Sequence, residues 1–272
     1  MEYFNKNLFS NPIDETYAFI KLKEEEHTLT ITLDRAKKKN AIHPKMIDEL
    51  AFALQYAKMS KHIWAIVIAA EGNVFCAGAD LKAFLGMLGE FESSIPKAKK
   101  EVLLGDLFNQ VHKPVIAKIE GDVYAGGFFF LAGSTYVVAN ENVKLGLPEV
   151  KRGLYPFQVM AALLQVMPKR KVVDWCIRGY NLSVKDAVDF GLVTHLATAE
   201  NIDSIVDGLI ADLSENSPSA IRLGLESLDA IQNSESKHKY LMEMLQKTLA
   251  SKDGQEGVTA FKEKRKPIWT GE

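Results

Sequence analysis

Three short stretches carry the residue types from which chemistry can be built. "FCAGADLKAF", Phe75 to Phe84, surrounds Gly78 with small residues. Small residues let backbone N–H groups face a ligand, where they can stabilise developing negative charge. The structural alternative is a tight strand-to-helix turn with Asp80 near a helix start. "VYAGGFFFLAG", Val123 to Gly133, sets Gly126 and Gly127 against Phe128, Phe129 and Phe130. Glycine serves where backbone bends unusually or lets something approach closely, and three aromatics belong in a packed, water-poor place. The "AGG" precedes a helical pattern, whose N-terminus offers unpaired N–H donors. The alternative there is a packing turn with core phenylalanines. "LGLPEVKRGLYP", Leu145 to Pro156, puts Glu149 between Pro148 and an apolar residue, in a loop before a helix. Such a glutamate is ordinarily a solvated first-turn residue. In an apolar surround its pKa rises and it becomes a candidate general acid or base.

Other chemistries lack their signatures. The histidines, His27, His43, His62, His112, His195 and His238, form no ligand pair at helical spacing, so no metal site is inferred. Neither a GxSxG elbow nor a dinucleotide fingerprint occurs. Cys76 and Cys176 show no pairing motif, which suits a reducing compartment. Two basic runs, Lys37 to Lys39 and Phe261 to Pro267, read as solvated surface or as partners for a phosphorylated ligand.

The elements that must position these stretches alternate between strand and helix. Tyr17 to Lys23 and Thr28 to Leu33 read as a hairpin. Met46, Leu50, Ala53, Leu54 and Ala57 repeat at helical spacing behind Pro44. A buried strand runs to Gly72, a helix covers about 101–111, and another strand lies in "KPVIAKIEG". Helix resumes after Gly127. "STYVVANENVKLGLPE" gives a short strand and a loop, followed by helices in "FQVMAALLQVM", "KVVDWCIRG" and "SVKDAVDFGLV". From Asn201 the chain reads as three further helices. This order predicts an α/β core over 1–200 and a helical region over 201–272. The apolar stripes of that region need covering by the core or a sister subunit.

The chain has 272 residues, 47% of them hydrophobic, with 33 basic and 35 acidic side chains. That supports a sizeable core. The near-cancelling charge points at neither nucleic acid nor an anionic membrane. The start lacks the pattern of a signal peptide. The longest apolar run, Ile63 to Ala70, is far short of the ~20 residues that span a bilayer. A cytoplasmic protein is expected.

The three stretches occur together, in this order, in the enoyl-CoA hydratase/isomerase, or crotonase, superfamily. The chain resembles that family along nearly its whole length. "FCAGADL" resembles its first oxyanion segment, "KPVIAKIEGDVYAGG" its second, and "LGLPEVKRGLYP" its catalytic-glutamate segment. "SPSAIRLGLESL" and "FKEKRKPIW" resemble its tail. The resemblance implies a spiral of strand–strand–helix turns with a helical C-terminal trimerisation region, in trimers or hexamers. It implies an acyl-CoA thioester as substrate, held at its carbonyl by the N–H groups of Ala79 and Gly126, with Glu149 as the proton carrier. Ala41, Ala77, Gly78, Asp80, Leu81, Gly127, Phe129, Pro148 and Tyr155 are expected to line the substrate site. No metal or redox cofactor is implied, coenzyme A entering as part of the substrate.

Departures from the family pattern shape the expected reaction. Its hydratases use a second glutamate three positions after the oxyanion glycine, where this chain has Phe129. Hydration needs an activated water and a delivered proton, and losing one carboxylate makes both harder. A single base can instead move a proton between two carbons of an enolate. Double-bond isomerisation is therefore favoured over hydration or dehydration of a specialised or branched acyl thioester. A catalytically silent acyl-CoA-binding member is a third reading. After Pro156 the family commonly has glycines, while here stand Phe157, Gln158, Val159 and Met160, so the acyl pocket is expected to be reshaped.

Overall fold

A computed structural model describes residues 1–232, 242–243, 245–246 and 249–268. Two sheets organise the core. The larger has six strands in the order β1-β2-β3-β5-β7-β10: β1 (Ile20–Glu25), β2 (Thr28–Leu33), β3 (Ala65–Ala70), β5 (Val115–Ile119), β7 (Tyr136–Asn140) and β10 (His195–Ala197). The smaller runs β4-β6-β8-β9, with β4 (Val74–Cys76), β6 (Asp122–Tyr124), β8 (Leu145–Gly146) and β9 (Asn181–Leu182). Among the described residues, only the β1/β2 and β8/β9 pairs are antiparallel.

Chain order explains the two sheets. β3, β5 and β7 each give a strand to the large sheet, and the next strand (β4, β6, β8) goes to the small one. Helix follows before the chain returns. After β4 come α2 (Leu81–Phe84) and α3 (Leu104–Leu107), after β6 comes α4 (Phe128–Ala132), and after β8 come α5 (Phe157–Leu163) and α6 (Lys169–Arg178). α7 (Val184–Asp189) links β9 to β10. Each turn of this spiral thus supplies two strands and a helical cover, as the resemblance implied.

The hairpin is present but displaced. β1 begins at Ile20 because the Ala18 and Phe19 amides donate to the buried Glu49 carboxylate, at 2.7 and 3.0 Å, and so do not join a ladder. From Leu29 onward β2 alternates, with Leu29, Ile31 and Leu33 buried and Thr30 and Thr32 less so. α1 (Pro44–Met59) buries Met46, Leu50, Ala53, Leu54 and Ala57. The helix expected over 101–111 shortens to Leu104–Leu107. Gly105 lowers its propensity, although Leu104, Leu107, Phe108 and Val111 are still buried.

In the C-terminal region α8 (Ile202–Ser214) packs Ile202 and Val206 on Val67, Ile116 and Val138 of the large sheet. α9 (Pro218–Gln232) leaves Leu223 and Leu228 exposed. The third helix expected there falls mostly outside the described residues. α10 (Lys252–Glu263) buries Gly254, Gly257 and Ala260 at a three-residue spacing.

Candidate active site

All three chemistry-bearing stretches leave neighbouring strands at the same end. β4 pairs parallel with β6 through Cys76 and Val123, and β6 pairs parallel with β8 through Tyr124 and Gly146. Ala79, Gly126 and Glu149 lie two or three residues beyond those strand ends. The carboxyl edge of a parallel sheet is where such folds place ligands.

The first two stretches touch. Gly78 has φ +87°, and a Cβ built there would lie 2.6 Å from the Ala125 Cβ and 3.2 Å from the Gly126 nitrogen. Ile42 forms a parallel bridge to Ala79, donating to the Gly78 carbonyl at 2.8 Å and accepting from Asp80 N–H at 2.9 Å. Residues bridged this way turn their own partnerless edge outward, so the Ala79 N–H points away from Ile42. Gly126 sits in the 3-10 turn Ala125–Gly127 that leads into α4. A Cβ at 126 would lie 3.2 Å from the Ile42 Cδ1 and 3.8 Å from the Ala79 nitrogen. A side chain there would occupy the space beside the Ala79 amide, which explains the glycine. Gly127 is buried, its would-be Cβ 3.0 Å from Cys76, so its role is close packing.

The turn from Arg35 to Ala41 braces this frame. Asn40 is fully buried in the left-handed region, donating to the Glu71 and Val74 carbonyls and accepting from Arg35 N–H. Ala77 N–H donates to the Lys39 carbonyl at 3.0 Å. The segment from Lys39 to Ile42 thus runs beside Ala77 and Gly78, with Lys37 to Lys39 exposed. Asp80 accepts from Ala83 N–H to cap α2 and pairs with Arg35 at 2.8 Å. Burial pushes the Asp80 carboxyl up, but Arg35 and the Ala83 amide outweigh it and hold the group below its ordinary range. Both Asp80 oxygens thus have protein partners. Leu81 opens α2 with its side chain substantially exposed.

The three phenylalanines divide by helical rotation. Phe128 packs edge-on against Trp175, and Phe130 lies between Phe75 and Phe108. Both are fully buried. Phe129 is half-buried and packs on the core from its edge. It is the one member of the run available to line a site.

Glu149 begins the 3-10 turn Glu149–Arg152, which Pro148 precedes and Gly153 ends at φ +71°. Leu154 N–H donates back to the Glu149 carbonyl at 3.1 Å, which brings Tyr155 round beside the turn. The Glu149 Oε2 is buried with no hydrogen-bond partner. Burial pushes its carboxyl up to about 7, against the opposing pull of its own backbone N–H and of Arg152. A group that titrates near neutrality can both take and return a proton. Cys176, on α6, lies close enough for the Glu149 charge to raise its thiol further, beyond what burial does. The Tyr155 hydroxyl is a hydrogen-bond partner of that thiol and lies 3.7 Å from the Met160 sulfur.

Sequence reasoning passed over Arg35, Cys176 and Gly257. Arg35 lies just ahead of the basic run Lys37 to Lys39 and carries no motif of its own, and Cys176 looks like any core cysteine of a helix. Gly257 carried a signal, because glycine inside a helical pattern marks close approach. A Cβ at 257 would overlap the Arg152 carbonyl, so α10 lies directly on the Glu149 turn. The Arg152 guanidinium sits over the Phe261 ring at 4.6 Å.

Residues 23–272 match the family model described as enoyl-CoA hydratase/isomerase. Enoyl-CoA hydratase EchA19 of Mycobacterium tuberculosis is 30% identical over 249 residues, covering 89% of this chain and 92% of that protein. Mevalonyl-coenzyme A hydratase sidH of Aspergillus fumigatus is 29% identical over 248 residues, covering 89% and 91%. The crystal structure of carnitinyl-CoA hydratase from Mycobacterium avium superimposes with a TM-score of 0.81 at 25% identity, covering 94% of this chain and 100% of that one. With its two-sheet spiral and its three segments at one sheet edge, the chain belongs to the enoyl-CoA hydratase/isomerase family, the crotonase superfamily of enzymes.

Proposed function

We propose that the protein moves a double bond in an enoyl-CoA thioester, with Glu149 as its single acid and base. The observation that carries this reading is the Glu149 Oε2, buried and without a hydrogen-bond partner. In the proposed cycle the thioester oxygen sits between the N–H groups of Ala79 and Gly126. Glu149 takes a proton from C2 of a 3-enoyl thioester, the electron pair passes into the carbonyl, and a dienolate forms. The two amides stabilise its oxygen, each by about 3–4 kcal/mol in comparable sites. Glu149 returns the proton to C4, which leaves the 2-enoyl thioester. Phe129 keeps water from the dienolate and limits proton leakage. Coenzyme A enters as part of the substrate, and the cycle calls for no metal or redox cofactor.

Hydration is the second reading, because the relatives named above are hydratases. It requires a second group to hold water. The charged neighbour that bears on Glu149 is a cation, Arg152, and α4 offers phenylalanine where a carboxylate is needed. Matched 2-enoyl- and 3-enoyl-CoA substrates of short, medium and long chain separate the two. Isomerisation is expected to exceed formation of 3-hydroxyacyl-CoA across the series. Fast hydration of a 2-enoyl-CoA with slow migration would replace this reading by the second.

A further inference from the structure

We propose that Arg35 is a positioning residue for the thioester carbonyl, holding the Ala79 N–H in its bearing through Ala41 and Asp80. The proposal rests on the reading of Ala79 as a donor to the thioester oxygen.

Ala41 precedes Ile42, and Asp80 follows Ala79, so these two residues flank the bridged pair Ile42 and Ala79. One guanidinium reaches both. Its Nη1 donates to the Ala41 carbonyl at 2.9 Å, and its Nη2 meets the Asp80 Oδ2 at 2.8 Å. The two segments are therefore stapled together alongside the bridge that aims Ala79. A planar fork can do this with fixed geometry, whereas an ammonium on a flexible stem cannot.

The staple is itself held. Arg35 N–H donates to Asn40 Oδ1, and the guanidinium lies 4.9 Å from the centre of the Phe19 ring. Phe19 packs on His43, whose ring centre is 4.7 Å away. His43 Nδ1 accepts from Lys45 N–H, so its proton lies on Nε2, which donates to the Leu88 carbonyl. The Arg35 and Asp80 side chains are only 12% and 18% exposed. Arg35 stands near the exposed Lys37 to Lys39, so a direct contact with a phosphate of coenzyme A is the competing role. Its engagement by Ala41 and Asp80 argues against that role.

Arg35→Met alone leaves Asp80 without its cation, which threatens folding. The paired change Arg35→Met with Asp80→Asn removes both charges and keeps a capping acceptor for α2. Arg35→Lys is the conservative partner. Each variant is checked for folding by circular dichroism, then assayed for kcat, for affinity toward butyryl-CoA, and for the infrared carbonyl frequency of bound butyryl-CoA labelled with ¹³C at C1. In the unaltered enzyme binding is expected to lower that frequency. In the double variant the lowering should shrink and kcat fall by roughly tenfold or more, part of the 10²–10³ that a whole oxyanion donor supplies. Affinity should change little, and Arg35→Lys should fall between. A folded double variant with the full frequency shift and full kcat overturns the proposal. Lost affinity with kcat intact overturns it in favour of a phosphate contact. An unaltered enzyme that shows no shift, and whose rate is indifferent to Gly126→Val, defeats the oxyanion reading itself and this proposal with it.

Discussion

The frame around Ala79 and the turn around Glu149 sit at one sheet edge and are built on opposite terms. Around Ala79 the polar groups that brace the backbone are satisfied. Asn40 spends both ends of its amide, Arg35 bridges Ala41 and Asp80, and Ile42 uses both backbone groups on the bridge. Around Glu149 a carboxylate oxygen is buried without a partner, and the groups that bear on it include the Cys176 thiol and the Arg152 cation. The difference teaches what each half has to do. Dipoles that stabilise a developing charge work best when fixed in advance, so they are braced. A proton carrier must exist in two states of similar energy, so its charged form is left poorly solvated.

The largest expected effect comes from removing the unsatisfied group. Glu149→Gln should lower kcat by about 10³ or more while affinity for a CoA thioester stays near its starting value. The same change should stabilise the fold at high pH. An unfolded carboxyl titrates at its ordinary value of 4.5, and the folded one at about 7. Between those values the folded state keeps a proton that the unfolded state gives up, so stability falls as pH rises through that window. Glu149→Gln should therefore melt higher than the unaltered protein at pH 8, with the gap closing toward pH 4.5. Equal melting temperatures at pH 8 would mean that the carboxylate is solvated.

On the braced side, Gly126→Val should lower kcat by roughly 10²–10³, the range for one lost oxyanion donor. The first carbon needs only a small give from Ile42, but its methyls occupy the space beside the Ala79 amide. A folded variant at near-normal rate would remove Gly126 from the site. Next in size is Gly257→Ala, which tests whether the C-terminal helix holds the Glu149 turn. The added carbon overlaps backbone of Arg152, so α10 or the turn has to shift. Stability should fall by about 1–3 kcal/mol, as for other overpacked sites, and turnover should drop with it. Unchanged melting and rate would show that α10 does not seat on the turn.

The smallest effect is a displaced pH limb. Because Glu149 must be deprotonated to accept the first proton, kcat/KM should rise with pH through about 7. Arg152 pulls that value down, so Arg152→Met should move the limb to higher pH. A limb that moves the other way would mean that another group controls it.

Much of this was written in local pattern. Alternation in β2, the 3.6-residue repeat of α1 and the glycines of the three stretches are properties of short segments, and they survived folding. Hydrophobic periodicity and turn chemistry act over a few residues, so a sequence displays them directly. Burial of Glu149 is not legible in its own segment, since a proline and an apolar neighbour do not exclude water. That took α6 behind the turn and α10 on top of it, which lie far along the chain. The start of β1 was set by Glu49 on a different element, and the split of the three phenylalanines by the rotation of α4 against Trp175 and Phe108. Arg35 gains its place only when the Ala41 and Asp80 segments are laid side by side. The residue types and their order were the sequence's own. Which amide faces outward, which carboxylate loses its water and which glycine admits a helix were decided by packing, because each depends on atoms brought together from distant parts of the chain.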